Sequence, residues 1–251
     1  MSDDRLSQIE TLWSLVLQAH DGPATSADAT QVLLDRYGPA VRRYLGGALR
    51  DTVAADDLYQ DFAIRFLRGD FQSANPEKGR FRSFLKTILF RMVADYHRQR
   101  QKQRSVPMDE NVVGDADDDD CDRQFTRVWR DEILKRAWSE IASVEKETGK
   151  PWYSVMRLRV ENPKMGSQQL AERLSEQLGR PISNSNMRVI LHRARDQFAV
   201  SLINAIADSL ASGSLDEIEE ELADLELLEY CQQALSDRRA QLSQQEPPAV
   251  E

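Results

Sequence analysis

Apolar residues in this 251-residue chain recur at three- and four-residue spacing, and runs alternating at the two-residue spacing of a half-buried strand are scarce. That period predicts helices. Leu33, Leu34, Tyr37, Val41, Tyr44 and Leu45 form one stripe, closing near Gly46-Gly47. A second runs from about Val53 to Leu67 through Leu58, Phe62, Phe66 and Leu67, with Asp51-Thr52 as caps and Gly69 as its stop. After the turn-rich GDFQSANPEKG, a third carries Phe81, Phe84, Leu85, Ile88, Leu89, Met92 and Tyr96. No hairpin turn joins two period-two runs and no βαβ pattern occurs, so an all-α fold is expected.

Between about Gln101 and Asp122 the periodicity is lost while Pro107, Gly114 and a DDDD run enter, the composition of a flexible linker. A second helical set then starts near Phe125 with the core stripe Val128, Trp129, Ile133, Leu134, Ala137, Trp138 and Ile141. A helix through Val155, Met156, Leu158 and Val160 follows. SQQLAERLSEQL is closed by Gly179 and Pro181, and Ser183 caps NSNMRVILHRARDQFAVSL. The expected plan is two small helical domains, 1–104 and 125–211, joined by an acidic linker at 105–124 and followed by an acidic extension at 212–251.

A net charge of −9 argues at first sight against a nucleic-acid partner. The distribution of that charge points the other way. Residues 109–122 and 216–229 each hold eight acids and no base, which leaves the remaining chain net positive. Residues 80–104 hold eight Lys or Arg against one Asp, a concentrated basic patch. No apolar run approaches the roughly 20 residues of a membrane helix, and MSDDRLSQIE lacks the regions of a signal peptide, so a cytoplasmic protein without a membrane partner is expected. Cys121 and Cys231 form no metal pair or disulfide framework; His20, His97 and His192 have no ligand spacing. With no P-loop, nucleophile elbow or dinucleotide fingerprint, the expectation is no enzyme, no metal and no cofactor.

The last two helices have the form of a helix-turn-helix. At 100° per residue, Met187, Ile190, Leu191, Ala194 and Phe198 share an apolar sector of the second helix, and Ser185, Arg188, His192 and Arg195 lie on the opposite side. With Asn184, Asn186 and Arg193, that side offers what a major groove requires: Arg for guanine, Asn for adenine and further donors for phosphates.

Three stretches resemble the sigma-70 superfamily of transcription initiation factors, especially its small extracytoplasmic-function type. ISNSNMRVILHRARDQF resembles the family's promoter-reading helix. AADDLYQDFAIRFL is similar to its polymerase-binding helix, and NPEKGRFRSFLKTILFRMVADYHRQRQK to the basic segment that follows. The resemblance covers roughly residues 30–200. The turn from Leu174 to Ser183 is longer than the family's usual Leu-Gly-x-Ser, and SVMRLRVENPKMGSQQ lacks the usual apolar run before it.

The resemblance implies a factor that binds core RNA polymerase and directs it to promoter DNA, with an anti-sigma protein as a further candidate partner. Asp56, Asp57, Gln60 and Asp61 would present an acidic, hydrogen-bonding face to a basic coiled coil of polymerase. Phe71 to Asn75 would hold a base flipped from the minus-ten element. Arg80, Arg82, Lys86, Arg91, Arg98 and Arg100 would grip phosphates. The alternative is an autonomous helix-turn-helix regulator, which has no use for a docking helix around Asp57 to Phe62.

In the C-terminal extension, Leu215, Ile218, Leu222 and Leu225 predict an amphipathic helix with a narrow apolar seam. Two readings stand for it: an exposed acidic helix that aids solubility, or a seam packed on the second domain with its acids near Arg188, Arg193 and Arg195, where they compete with phosphate.

Overall fold

The computed structural model describes residues 23–68, 70, 80–103, 118–210 and 214–245, and every regular element among them is a helix. In chain order these are α1 (Pro23–Leu49), α2 (Thr52–Leu67), α3 (Phe81–Gln103), α4 (Asp118–Thr148), α5 (Trp152–Glu161), α6 (Ser167–Leu178), α7 (Asn184–Ala207), α8 (Leu215–Asp224) and α9 (Leu228–Gln245). The all-α expectation holds. The chain divides into two compact units, Met1–Glu132 with Ala207–Gly213, and Ile133–Ile206 with Ser214–Glu251.

The first unit is built on the three predicted helices. Leu33, Tyr37, Val41, Tyr44 and Leu45 of α1 are buried, as are Ala54, Ala55, Phe62 and Phe66 of α2 and Phe81, Leu85, Leu89, Met92 and Val93 of α3. Asp51 caps α2 by accepting from the Ala54 N–H at 3.2 Å, satisfying one of the donors a helix start leaves open. Gly38 permits the close approach of α1 to α2, because a Cβ there would collide with the Tyr59 hydroxyl.

The first half of α4 also belongs to this core. Trp129 is 1% exposed, stacks on Tyr37 at 5.2 Å and meets Phe81 at 6.2 Å, and Phe125 meets Tyr44 edge to face at 5.5 Å. Helix α4 therefore begins at Asp118, inside the stretch expected to be linker, and the boundary expected at 125 falls within a helix. Two physical causes account for the difference. Asp120 and Asp122, which read as linker composition, sit in the first turns of a helix, where acids are favoured, and the aromatic pair one turn apart, Phe125 and Trp129, supplies a buried face. Burial, with Cys121 and Asp122 adding to it, raises the Tyr44 hydroxyl pKa well above the ordinary phenol range.

In the second unit Val155, Leu158, Leu170, Ala171, Leu174, Met187, Leu191 and Ala194 form one core shared by α5, α6 and α7. Trp138 of α4 packs on Phe198 at 4.9 Å and on Tyr153 at 5.8 Å. Glu145 of α4 caps α5 by accepting from the backbone N–H of Ser154 at 2.8 Å and from its hydroxyl at 2.5 Å.

Candidate functional site

Helix α6 runs through Leu178 and ends at Gly179, whose φ of +64° is the left-handed conformation that favours glycine at a helix terminus. Much of the extra length between Leu174 and Ser183 is thus one more helical turn rather than loop. The remaining turn is held from both sides. The Ser175 hydroxyl accepts from the Ile182 N–H at 2.9 Å, and the Ser183 hydroxyl caps α7 by accepting from Asn186 N–H at 3.1 Å. Ahead of α6, Arg159 donates to the carbonyls of Met165 and Pro163, and Arg173 to Asn162 Oδ1 at 3.1 Å.

With the turn fixed, the faces of α7 are fixed too. Met187, Leu191 and Ala194 are buried, and Ile190 and Phe198 are half-buried. Asn184, Ser185, Asn186, Arg188, His192, Arg193 and Arg195 are all exposed. His192 Nδ1 lies 3.6 Å from the Asp196 carboxylate, an interaction that carries charge only when the imidazole is protonated. Among the described residues Arg188, Arg193 and Arg195 make no ion pair, so their guanidinium groups face solvent with donors to offer an anion. Sequence reasoning missed Val189, which is 46% exposed on this polar face. An apolar residue off the predicted core stripe was the signal available for it.

In the first unit, Asp56, Asp57, Gln60 and Asp61 of α2 are exposed together. Asp61 pairs with Arg65 at 3.1 Å across one turn, a surface contact worth about 0.3–0.5 kcal/mol. Two exposed apolar residues, Val53 at 70% and Ile64 at 45%, were also missed. At 100° per residue Val53, Asp57, Gln60 and Ile64 fall within about 60° of one another, so this face combines acids and an amide with apolar ends. Arg42 sits over the Tyr59 ring at 4.2 Å, which steadies the packing behind that face.

The basic residues of α3 divide between two flanks. Arg91, Arg98 and Lys102 are exposed and fall within about 40° of one another, with Arg98 paired to Asp95 at 2.6 Å. Arg82, Lys86 and Arg100 lie on another flank and are more engaged. Lys86 is half-buried in an ion pair with Asp122 of α4. Arg100 donates to the Tyr96 hydroxyl at 3.1 Å and lies 3.9 Å from Asp51. Arg80 is half-buried just before α3 begins. Phe71 and Asn75 lie outside the described residues.

The expected packing of the C-terminal seam is observed in part. Ile218, Leu222 and Leu225 are buried, and the Cys231 thiol of α9 donates to the Ala199 carbonyl of α7. The acids are placed differently from the expectation. Asp216 and Glu219 pair with Arg239 of α9, at 2.9 and 2.6 Å, and no ion pair among the described residues joins this segment to Arg188, Arg193 or Arg195. A short turn between α8 and α9 makes Arg239 a local partner, at a smaller loop-closure cost than a distant helix.

Among the described residues no group of three His, Cys, Asp or Glu side chains could hold a metal ion, and no helix is long and apolar enough to cross a membrane. Residues 33–103, which span most of α1 and all of α2 and α3, match the family model of sigma-70 region 2. No curated protein and no solved structure matches the chain.

Proposed function

We propose that this chain, which over residues 33–103 belongs to the sigma-70 family of RNA polymerase sigma factors, docks on core polymerase through the exposed face of α2 and reads a promoter with two separate surfaces. The observation that carries the reading is the region 2 match over helices whose exposed residues suit those tasks. Asp56, Asp57, Gln60 and Asp61 steer and register the complex against a basic partner surface, and Val53 and Ile64 supply apolar area at its ends.

Arg91 and Arg98 face phosphates of the minus-ten region, with Arg80, Arg82, Lys86 and Arg100 as further cations. Lys86 must exchange Asp122 for a phosphate to take part. Phe71 and Asn75 have the chemistry to stack on and hydrogen-bond a flipped base. In the second unit, Asn184, Ser185, Asn186, Arg188, His192, Arg193 and Arg195 address the minus-thirty-five element through the major groove.

The test is co-purification with core polymerase followed by run-off transcription. Asp57→Arg/Gln60→Arg should lose polymerase binding and transcription while keeping its helical circular dichroism. Unchanged binding by that folded variant overturns the docking assignment.

A further inference from the structure

Among the described residues exposed between Asn184 and Asp196, Val189 alone is apolar. Its neighbours on the outward face are Ser185 one turn before, Arg188 beside it, and His192 and Arg193 one turn after. A branched side chain held in water has no stabilising role for the helix itself: β-branching lowers helix propensity, and the core of this unit is complete without it. The N-terminal half of the face is the half that can approach DNA. Asn184, Ser185 and Asn186 carry no charge, Arg188 is cationic, and the first acid, Asp196, lies about three turns in, where it faces His192.

In the major groove the one apolar group that a base pair presents is the C5 methyl of thymine. A valine set among polar and cationic side chains matches that group and nothing else on the groove floor. We propose that Val189 makes this contact, reading a thymine methyl in the upstream promoter element. Arg188 is adjacent on the helix and addresses the same or the neighbouring base pair. The inference rests on the assignment of α7 as a promoter-reading helix and deepens it by assigning a base group to one residue.

The experiment uses the full chain bound to core polymerase and a promoter fragment obtained by selection from random DNA. Each dT of the upstream element is replaced in turn by dU, which removes the C5 methyl and leaves base pairing intact. One such replacement should weaken binding by about fourfold, the effect of withdrawing one buried methyl group. Val189→Ala should weaken binding to the dT fragment by a similar factor and should no longer distinguish dT from dU at that position, so that the two changes are not additive. Replacing an exposed valine by alanine leaves the core intact, and an unchanged melting temperature verifies this.

A second variant separates the two levels of the reading. If Arg188→Ala weakens selective binding but no dU replacement does, or if Val189→Ala stays as sensitive to dU as the parent, the Val189 assignment is overturned and the helix assignment stands. If neither Arg188→Ala nor Val189→Ala alters affinity for any sequence, both fall.

Discussion

Replacing Trp129 by alanine tests whether the start of α4 is part of the first unit's core or an appendage to it. The indole is 1% exposed and is stacked on Tyr37 at 5.2 Å, with Phe81 and Phe125 each at 6.2 Å. Removing a buried Trp costs about 3–5 kcal/mol through lost transfer energy and the cavity left behind. Each lost aromatic pair contributes about 0.5–1.5 kcal/mol within that range. If α4 is integral, the loss is felt by α1 and α3, whose Tyr37 and Phe81 line the cavity. Amide hydrogen exchange on the intact chain measures this helix by helix. At about 1.4 kcal/mol per factor of ten, the slowest amides of α1 and α3 should exchange faster by two decades or more. Trp138→Ala, which removes contacts to Tyr153 and Phe198, should accelerate exchange in α5 and α7. Unchanged exchange in α1 and α3 of Trp129→Ala, with α4 alone affected, would refute the four-helix core.

Other outcomes follow from single contacts. Ile64→Ser, at an exposed position of the α2 face, should weaken polymerase binding several-fold in a titration without lowering the melting temperature. Arg188→Ala should cost about 1–3 kcal/mol and relax preference at one base pair if it reads a base, and should instead weaken all sequences alike and reduce the salt slope by about 1 if it binds phosphate. Burial pushes the Cys231 thiol from 9.0 up to about 12, so folding favours its neutral form. Its contribution to stability is complete below pH 9 and is lost as pH rises from 9 towards 12; Cys231→Ala should flatten that part of the denaturation curve.

Where a helix presents a single apolar stripe, its position was legible from spacing alone. Leu33, Tyr37, Val41, Tyr44 and Leu45, then Phe81, Leu85, Leu89 and Met92, and then Met187, Leu191 and Ala194 are buried at positions their period marks, with Leu34, Phe84, Ile88 and Ile190 half-buried beside them. The start of α4 was not legible, because acids at 118–122 are equally compatible with a linker and with a helix N-terminus. Only the tertiary contact of Trp129 with Tyr37 distinguishes them. Ion-pair partners were harder still. Lys86 counts as a free cation in any tally of charge, yet it is half-buried against an aspartate 36 residues away. The exposed Val53, Ile64 and Val189 escaped notice for the opposite reason, since a search for charged and polar groups passes over an apolar residue whose significance lies in being outside the core.

The arrangement of α8 and α9 bears on how an acidic chain carries the proposed DNA-reading surfaces. Asp216 and Glu219 share an ion pair with Arg239, and the seam of Ile218, Leu222 and Leu225 is buried. The Cys231 contact to Ala199 ties α9 to α7 about three turns beyond the exposed Arg188. Exposed charges more than about 8 Å from a bound phosphate are largely screened at physiological salt. Deleting residues 212–251 would remove eleven acids and simultaneously remove the Cys231 contact to Ala199. Any change in DNA affinity after such a truncation would mix lost repulsion with lost packing. Neutralising an acid in place keeps the two apart: Glu229→Gln, at an exposed position, leaves the buried seam intact, and a salt titration of this variant should reproduce the parent's slope if the extension acts as a structural brace.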